Sequence, residues 1–191
     1  MLTTDDRAEI DRLWERKLQQ DAQGLPQPER HRNLEPPSAE FIHALAAGIG
    51  AKRLLEIGGS SGLSTIALAA AARQTGGCLI SIEKEPVRQA DAKDTLSRLG
   101  LAKHVDFILA DAATVLLRQA DLDFALIDCE KEDYIRFFDM LPMRKGGIIV
   151  ADNIISHSMS DYVAHVRGCA GAESITLEIG KGLEVSCVHR L

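Results

Sequence analysis

Apolar residues recur along this chain with two periods, and the change from one to the other marks out its elements. Over residues 5–22, Ile10, Leu13, Trp14 and Leu18 keep the i, i+3, i+4, i+8 spacing of one helix face, and Asp6 with Glu9 three places on has the form of a capping box. Residues 24–37 carry four prolines and several charges and read as an irregular link, after which Pro36-Pro37-Ser38 opens a second helix through Phe41, Ile42, Leu45 and Ile49. From residue 53 onward, short apolar runs of strand type (53–57, 78–83, 104–109, 123–128, 147–151) alternate with helical segments (62–75, 86–99, 112–120, 134–141). Strict strand–helix alternation predicts right-handed crossovers and a parallel sheet covered on both faces. A last helix over 161–169 precedes two runs, 174–179 and 183–189, joined only by Gly180-Lys181-Gly182. That connection is too short for a crossover, so it predicts a hairpin and an antiparallel strand at the end of the sheet. The expected organisation is one domain over 1–191, with 1–35 as N-terminal helix and link and 36–191 as an α/β core.

Composition narrows the function classes without naming a chemistry. A length of 191 residues suits one core, and 22 Lys and Arg against 28 Asp and Glu leave a net charge of −6. Such a surface gains nothing from counterion release on phosphate backbones or anionic lipid heads, so neither nucleic acid nor membrane is an expected partner. The eight aromatic residues are not interleaved with basic ones, which argues against a base-stacking platform. The longest mostly apolar runs, about 63–72 and 146–151, are too short to span a bilayer, and Asp5, Asp6 and Arg7 do not suit a secretory leader, so a cytoplasmic location is expected. Cys78, Cys129, Cys169 and Cys187 form no C-x-x-C pair and read as buried, reduced thiols.

Chemistry enters at the first strand-to-helix turn, Leu55-Glu56-Ile57-Gly58-Gly59-Ser60-Ser61-Gly62-Leu63-Ser64-Thr65. The dinucleotide fingerprint fails here, because Ser60 and Leu63 stand where its second and third glycines belong. What fits is acidic-x-Gly-x-x-x-Gly through Glu56, Gly58 and Gly62, suited to a nucleoside cofactor whose charged part is an amino acid. Glu56 can meet an ammonium, while Ser60, Ser64 and loop N–H groups can hold a carboxylate; tight strand–helix packing alone is the blander alternative. Glu83 ends the second strand 21 residues after Gly62, where a carboxylate accepts both ribose hydroxyls, unless it is simply a solvated strand-end acid. Asp111 and the N–H of Ala112 follow the third strand and suit adenine, although Asp111 serves equally well as a helix N-cap.

The fourth strand ends at Asp128 and the fifth at Asp152-Asn153. Neighbouring parallel strands bring these C-terminal ends to one rim, where two carboxylates and an amide carbonyl suit a hard cation, Mg²⁺ first and Mn²⁺ or Ca²⁺ as substitutes. Taken alone, Asp152-Asn153 reads equally as a turn after a strand. Lys131, three residues after Asp128, opens the next helix and can take a proton from a hydroxyl held at such a cation; a solvated surface lysine is the plain alternative.

Together LEIGGSSGLSTIALA, ISIEKEP, the ADA after the third strand, IDCEKEDY and GGIIVADN resemble the cation-dependent, S-adenosylmethionine-dependent O-methyltransferases, the family of the catechol and caffeoyl-CoA enzymes, over about residues 30–191. The resemblance implies a Rossmann-like class I methyltransferase with a seven-stranded, mostly parallel sheet of order 3-2-1-4-5-7-6 and helices on both faces. It places Asp128, Asp152 and Asn153 on the metal ligands and Lys131 on the catalytic lysine. Leu34 (through its backbone), Glu56, Gly58, Ser60, Ser64, Glu83, Ala112 and Asp128 fall on cofactor contacts, beside Asp111. It further implies methyl transfer to one hydroxyl of a small aromatic vicinal diol. The short connection after Asn153 does not suit a bulky CoA thioester. Two rivals stand beside this reading: a metal-independent methyltransferase acting on a non-diol acceptor, and an S-adenosylmethionine binder without turnover. The helix bearing Trp14 suits either capping of the cleft or pairing of two subunits as a homodimer.

Overall fold

A computed structural model describes residues 1–26 and 29–189; Gln27 and Pro28 of the expected link lie outside the described residues. Helix α1 (Thr4–Ala22) and helix α2 (Pro36–Gly48) precede β1 (Arg53–Ile57), α3 (Leu63–Thr75), β2 (Cys78–Glu83), α4 (Pro86–Arg98), β3 (Val105–Leu109), α5 (Ala112–Leu116) and β4 (Leu122–Ile127). There follow α6 (Tyr134–Met140), β5 (Met143–Ala151), α7 (Ser160–Gly168), β6 (Ala172–Leu177) and β7 (Leu183–Val188). The seven strands form one sheet of order β3-β2-β1-β4-β5-β7-β6. Pairings from β3 to β5 are parallel, and β7 runs antiparallel to both β5 and β6.

Side chains alternate between two cores, as the two-residue period of a strand requires. Leu54 of β1, Phe124 and Leu126 of β4 and Val150 of β5 face the core shared with α1, α2 and α3. Leu55 and Ile57, Ala125 and Ile127, and Ile149 and Ala151 face the core shared with α5, α6 and α7. Helix α3 is buried at every residue from Leu63 to Ala72, which explains its Ala-rich, all-round apolar sequence: small side chains let it lie between the sheet and α2.

Several expectations shift on inspection. The capping box of α1 joins Thr3 and Asp6, not Asp6 and Glu9. Glu9 instead accepts from Arg12 and Arg98, tying α1 to α4. Helix α5 stops at Leu116 because its end tightens into i→i−3 bonds (Arg118 N–H to Val115 O, Gln119 N–H to Leu116 O), and Asp121 then takes a left-handed φ of 51° before β4. The four cysteines are free, but Cys78 is exposed and the other three are only partly covered. Among the described residues no helix is long and apolar enough to cross a membrane.

Candidate active site

The site lies along the C-terminal ends of β1, β2, β4 and β5. Past each strand the ladder continues by one or two bonds: Gly58 N–H and Gly59 N–H donate to Ile82 O, Asp128 N–H to Ile57 O and Asp152 N–H to Ile127 O. The loop after β1 is therefore fixed by its neighbours before any ligand arrives. Gly58 has φ +94°, and a Cβ added there would lie 1.9 Å from the carbonyl oxygen of Asp128, so only glycine allows the loop to pass that strand end. Glu56 is wholly buried beneath the loop; its Oε1 accepts from Thr65 (2.5 Å) and Ser81 (2.6 Å), and its Oε2 accepts from Ser64 (2.9 Å). Burial pushes its carboxyl above the usual range, with the three hydroxyls pulling the other way.

One cleft opens between the glycine loop and the ends of β2, β3 and β4. Gly58, Ser60, Glu83, Asp111, Ala112 and Asp128 line it, which gathers six of the nine residues expected to hold a cofactor. Leu34, Glu56 and Ser64 do not line it: Leu34 packs in the core, and Glu56 with Ser64 braces the loop from behind. Glu83 is held by backbone donors, Ser60 N–H at 2.8 Å on Oε2 and Lys84 and Glu85 N–H on Oε1. Asp111 does cap α5, accepting from Ala113 N–H at 2.8 Å, and still faces the cleft. Arg32 went unnoticed in the sequence, because the link before α2 carries no periodicity. Its N–H donates to Ser60 Oγ (3.1 Å) and its guanidinium pairs with Glu130.

A second cleft, of about 500 Å³, shares Arg32, Asp128, Cys129 and Glu130 with the first. Lys131, Asn153 and Lys181 line it as well. Lys131 begins a single 3-10 turn (Lys131–Asp133) that runs into α6. Tyr134, at the head of α6, is 2% exposed, stacks edge-on against Tyr162 and donates its hydroxyl to Asp152 O at 3.2 Å. The turn bearing Lys131 is thereby pinned to the end of β5. Burial keeps the Cys129 thiol protonated, which removes it as a nucleophile.

Asp128, Asp152 and Asn153 converge as the strand order requires. Asn153 adopts a left-handed φ of 64° and donates Nδ2–H to Asp128 Oδ1 at 2.9 Å. Burial and the neighbouring Asp152 push the Asp128 carboxyl well above its usual range, against Arg32 and Lys181. Burial raises Asp152 to about 6, against the Asn153 N–H and Lys181. The Oδ1 of Asp152 is buried with no hydrogen-bond partner. Two crowded carboxylates, one with an orphaned oxygen, and an adjacent amide are a donor set that a hard cation satisfies, so the residues present fit one. Among the described residues no group of three His, Cys, Asp or Glu side chains is gathered for a metal; the third donor here is an amide.

Comparison with known proteins places the chain in a class. The O-methyltransferase TomG from Streptomyces achromogenes, involved in tomaymycin synthesis and solved in complex with SAM, shares the fold with a TM-score of 0.77 at 23% identity, over 93% of this chain and 89% of that one. Residues 14–166 match the model of the O-methyltransferase family, and the chain belongs to that family. Catechol O-methyltransferase of Mycobacterium tuberculosis is 34% identical over 120 residues, 61% of this chain and 54% of that protein. Catechol O-methyltransferase of Sus scrofa is 31% identical over 130 residues, 63% of this chain and 69% of that protein. The chain spans little more than half the length of the first relatives it matches.

Proposed function

We propose that the protein is an S-adenosylmethionine-dependent O-methyltransferase that methylates one hydroxyl of a small aromatic vicinal diol with the help of a divalent cation. The observation that carries the reading is the shared wall: Asp128 and Cys129 face both the glycine-loop cleft and the cleft bearing Lys131 and Asn153. A methyl donor in one and an acceptor in the other would meet there. S-adenosylmethionine supplies a methyl group on a sulfonium, and a cation held by Asp128, Asp152 and Asn153 lowers the pKa of an acceptor hydroxyl.

The chain's own residues then do the following. Glu83 accepts from the ribose, its oxygens already oriented by three backbone N–H groups; Asp111 and the Ala112 N–H meet the adenine; Gly58 and Ser60 bring backbone against the cofactor. Glu56 and Ser64 hold the loop in shape, and Leu34 supports it from the core. Lys131 Nζ takes the proton of the acceptor hydroxyl as its oxygen forms the bond to carbon and the carbon–sulfur bond breaks. Holding oxygen, carbon and sulfur in line is the main task, and positioning of this kind supplies about 7–11 kcal/mol. The reading keeps the protein among cytoplasmic enzymes acting on small molecules, as a monomer or homodimer, without nucleic-acid or membrane partners.

The test is methyl transfer from S-adenosylmethionine to catechol, followed by mass shift with and without Mg²⁺. Lys131→Ala and Asp152→Ala should each lower the rate at least about 100-fold while S-adenosylhomocysteine still binds. Undiminished turnover after EDTA treatment would remove the cation from the reading, and binding without any methylated product would leave a cofactor-binding protein.

A further inference from the structure

The second cleft carries another lysine for which the reaction above has no use. Lys181 sits in the turn between β6 and β7, half-buried, with its backbone tied to the loop that leaves Asn153. Its carbonyl accepts from Ile155 N–H (3.0 Å) and Ser156 N–H (3.2 Å), and the next carbonyl, of Gly182, accepts from Ile154 N–H (3.0 Å). A Cβ on Gly182 would lie 2.5 Å from Ile155 Cγ1, so turn and loop are in direct contact. The position of Lys181 is therefore set by backbone, not left to a mobile tip.

Its ammonium has no ion pair or hydrogen bond among the described residues, although it is close enough to Asp128 and Asp152 to favour their ionised forms. Lys131, the other unpaired cation of the cleft, must give up its charge to act as a base, whereas Lys181 has no such duty. In the same cleft, Lys17 (2.7 Å) and Arg30 (3.0 Å) share the single carboxylate of Asp21. Side chains of low polarity in this cleft are few: Cys129, Tyr134 and Met159. Lys17, Arg30, Arg32, Lys131 and Lys181 line the cleft against the carboxylates of Asp21, Asp128, Glu130 and Glu132, and with Asp128 given to a divalent cation the lining holds a surplus of positive charge that suits an anionic acceptor better than a neutral ring. A half-buried ammonium with carboxylates nearby but no hydrogen bond keeps its donors unsatisfied, and a charge-assisted hydrogen bond from a ligand satisfies them.

We propose that Lys181 is a specificity-determining residue that binds a carboxylate on the acceptor, so that the substrate class is dihydroxylated aromatic acids instead of neutral diols. The proposal rests on reading this cleft as the acceptor site.

The experiment compares catechol with 3,4-dihydroxybenzoate on the full chain, for the wild type, Lys181→Met and Lys181→Arg, measuring both steady-state methyl transfer and the acceptor's Kd by calorimetry. The wild type should favour the acid at least tenfold in kcat/KM. At saturating Mg²⁺, Lys181→Met should raise KM and Kd for the acid about 10- to 100-fold, at least tenfold more than for catechol, and Lys181→Arg should restore most of the acid's affinity. Equal losses for both acceptors, a fall in kcat at constant KM, or a wild type that prefers catechol would overturn the assignment while leaving the methyltransferase reading intact. Methylation of neither diol by a wild type that binds S-adenosylhomocysteine would overturn both.

Discussion

Gly58→Ala separates the two demands on the glycine loop, a left-handed backbone and a close approach to β4. Alanine at φ +94° costs about 1–2 kcal/mol in backbone strain. Its methyl would start 1.9 Å from the Asp128 carbonyl oxygen, well inside van der Waals contact, so the two strand ends must part by more than about 1 Å, at an overpacking cost of about 1–3 kcal/mol. The bond from Asp128 N–H to Ile57 O (3.0 Å) crosses the same gap and would stretch. A loss of about 2–5 kcal/mol is expected, against a total of about 5–15, so the variant melts about 4–20 °C lower. Because Asp128 moves with the displaced strand end, binding of S-adenosylhomocysteine should weaken by more than tenfold. Gly48→Ala is the control: that residue ends α2 and a Cβ there meets nothing within 4 Å, so the change should be neutral or stabilising by up to about 1 kcal/mol. Urea denaturation and calorimetry on both variants decide the matter, and a Gly58→Ala protein as stable and as competent in binding as Gly48→Ala would refute the argument.

Two further outcomes follow from buried acids away from the cleft. Asp6→Ala removes the acceptor for Thr3 N–H (2.8 Å) and for Arg73 (2.6 Å), and should cost about 2–4 kcal/mol in urea denaturation. Burial alone would raise the Asp123 carboxyl, but the N–H groups of Arg53 and Lys52 and the Arg144 guanidinium outweigh it and hold the group below its usual 3.8. The folded value being the lower one, its stabilisation is complete at neutral pH and is lost as pH falls below 3.8 through the folded value; Asp123→Asn should be less stable at pH 7 and show a flatter decline between pH 4 and 2.

The sheet was legible because its central strands β1 and β4 are buried on both faces while the helices other than α3 keep an exposed side, so the period changes at most boundaries. The rim positions Glu83, Asp111, Asp128 and Asp152 were legible for the same reason: an acid directly after a run of apolar residues marks a strand's C-terminal end. Arg32, Glu130 and Lys181 were not. Arg32 lies in a link without a period, Glu130 stands in a charged run where nothing distinguishes it, and Lys181 reaches the cleft only because β7 folds back between β5 and β6. Cysteine burial was misjudged because apolar neighbours in sequence alternate faces in a strand, and Cys187 shares β7 with residues on both sides of the sheet.

The place of β7 also bears on how the molecule is made. It is the last of the seven strands to be synthesised, yet it is interior, bonded to β5 along Gly147–Ala151 and to all six residues of β6. Until residues 183–188 have left the ribosome, β5 presents an open edge and β6 has no neighbour, so vectorial folding can complete the cofactor half of the sheet but not the edge that carries the hairpin. A nascent chain stalled before residue 183 would be an aggregation-prone species, protected by chaperones and not by its own structure.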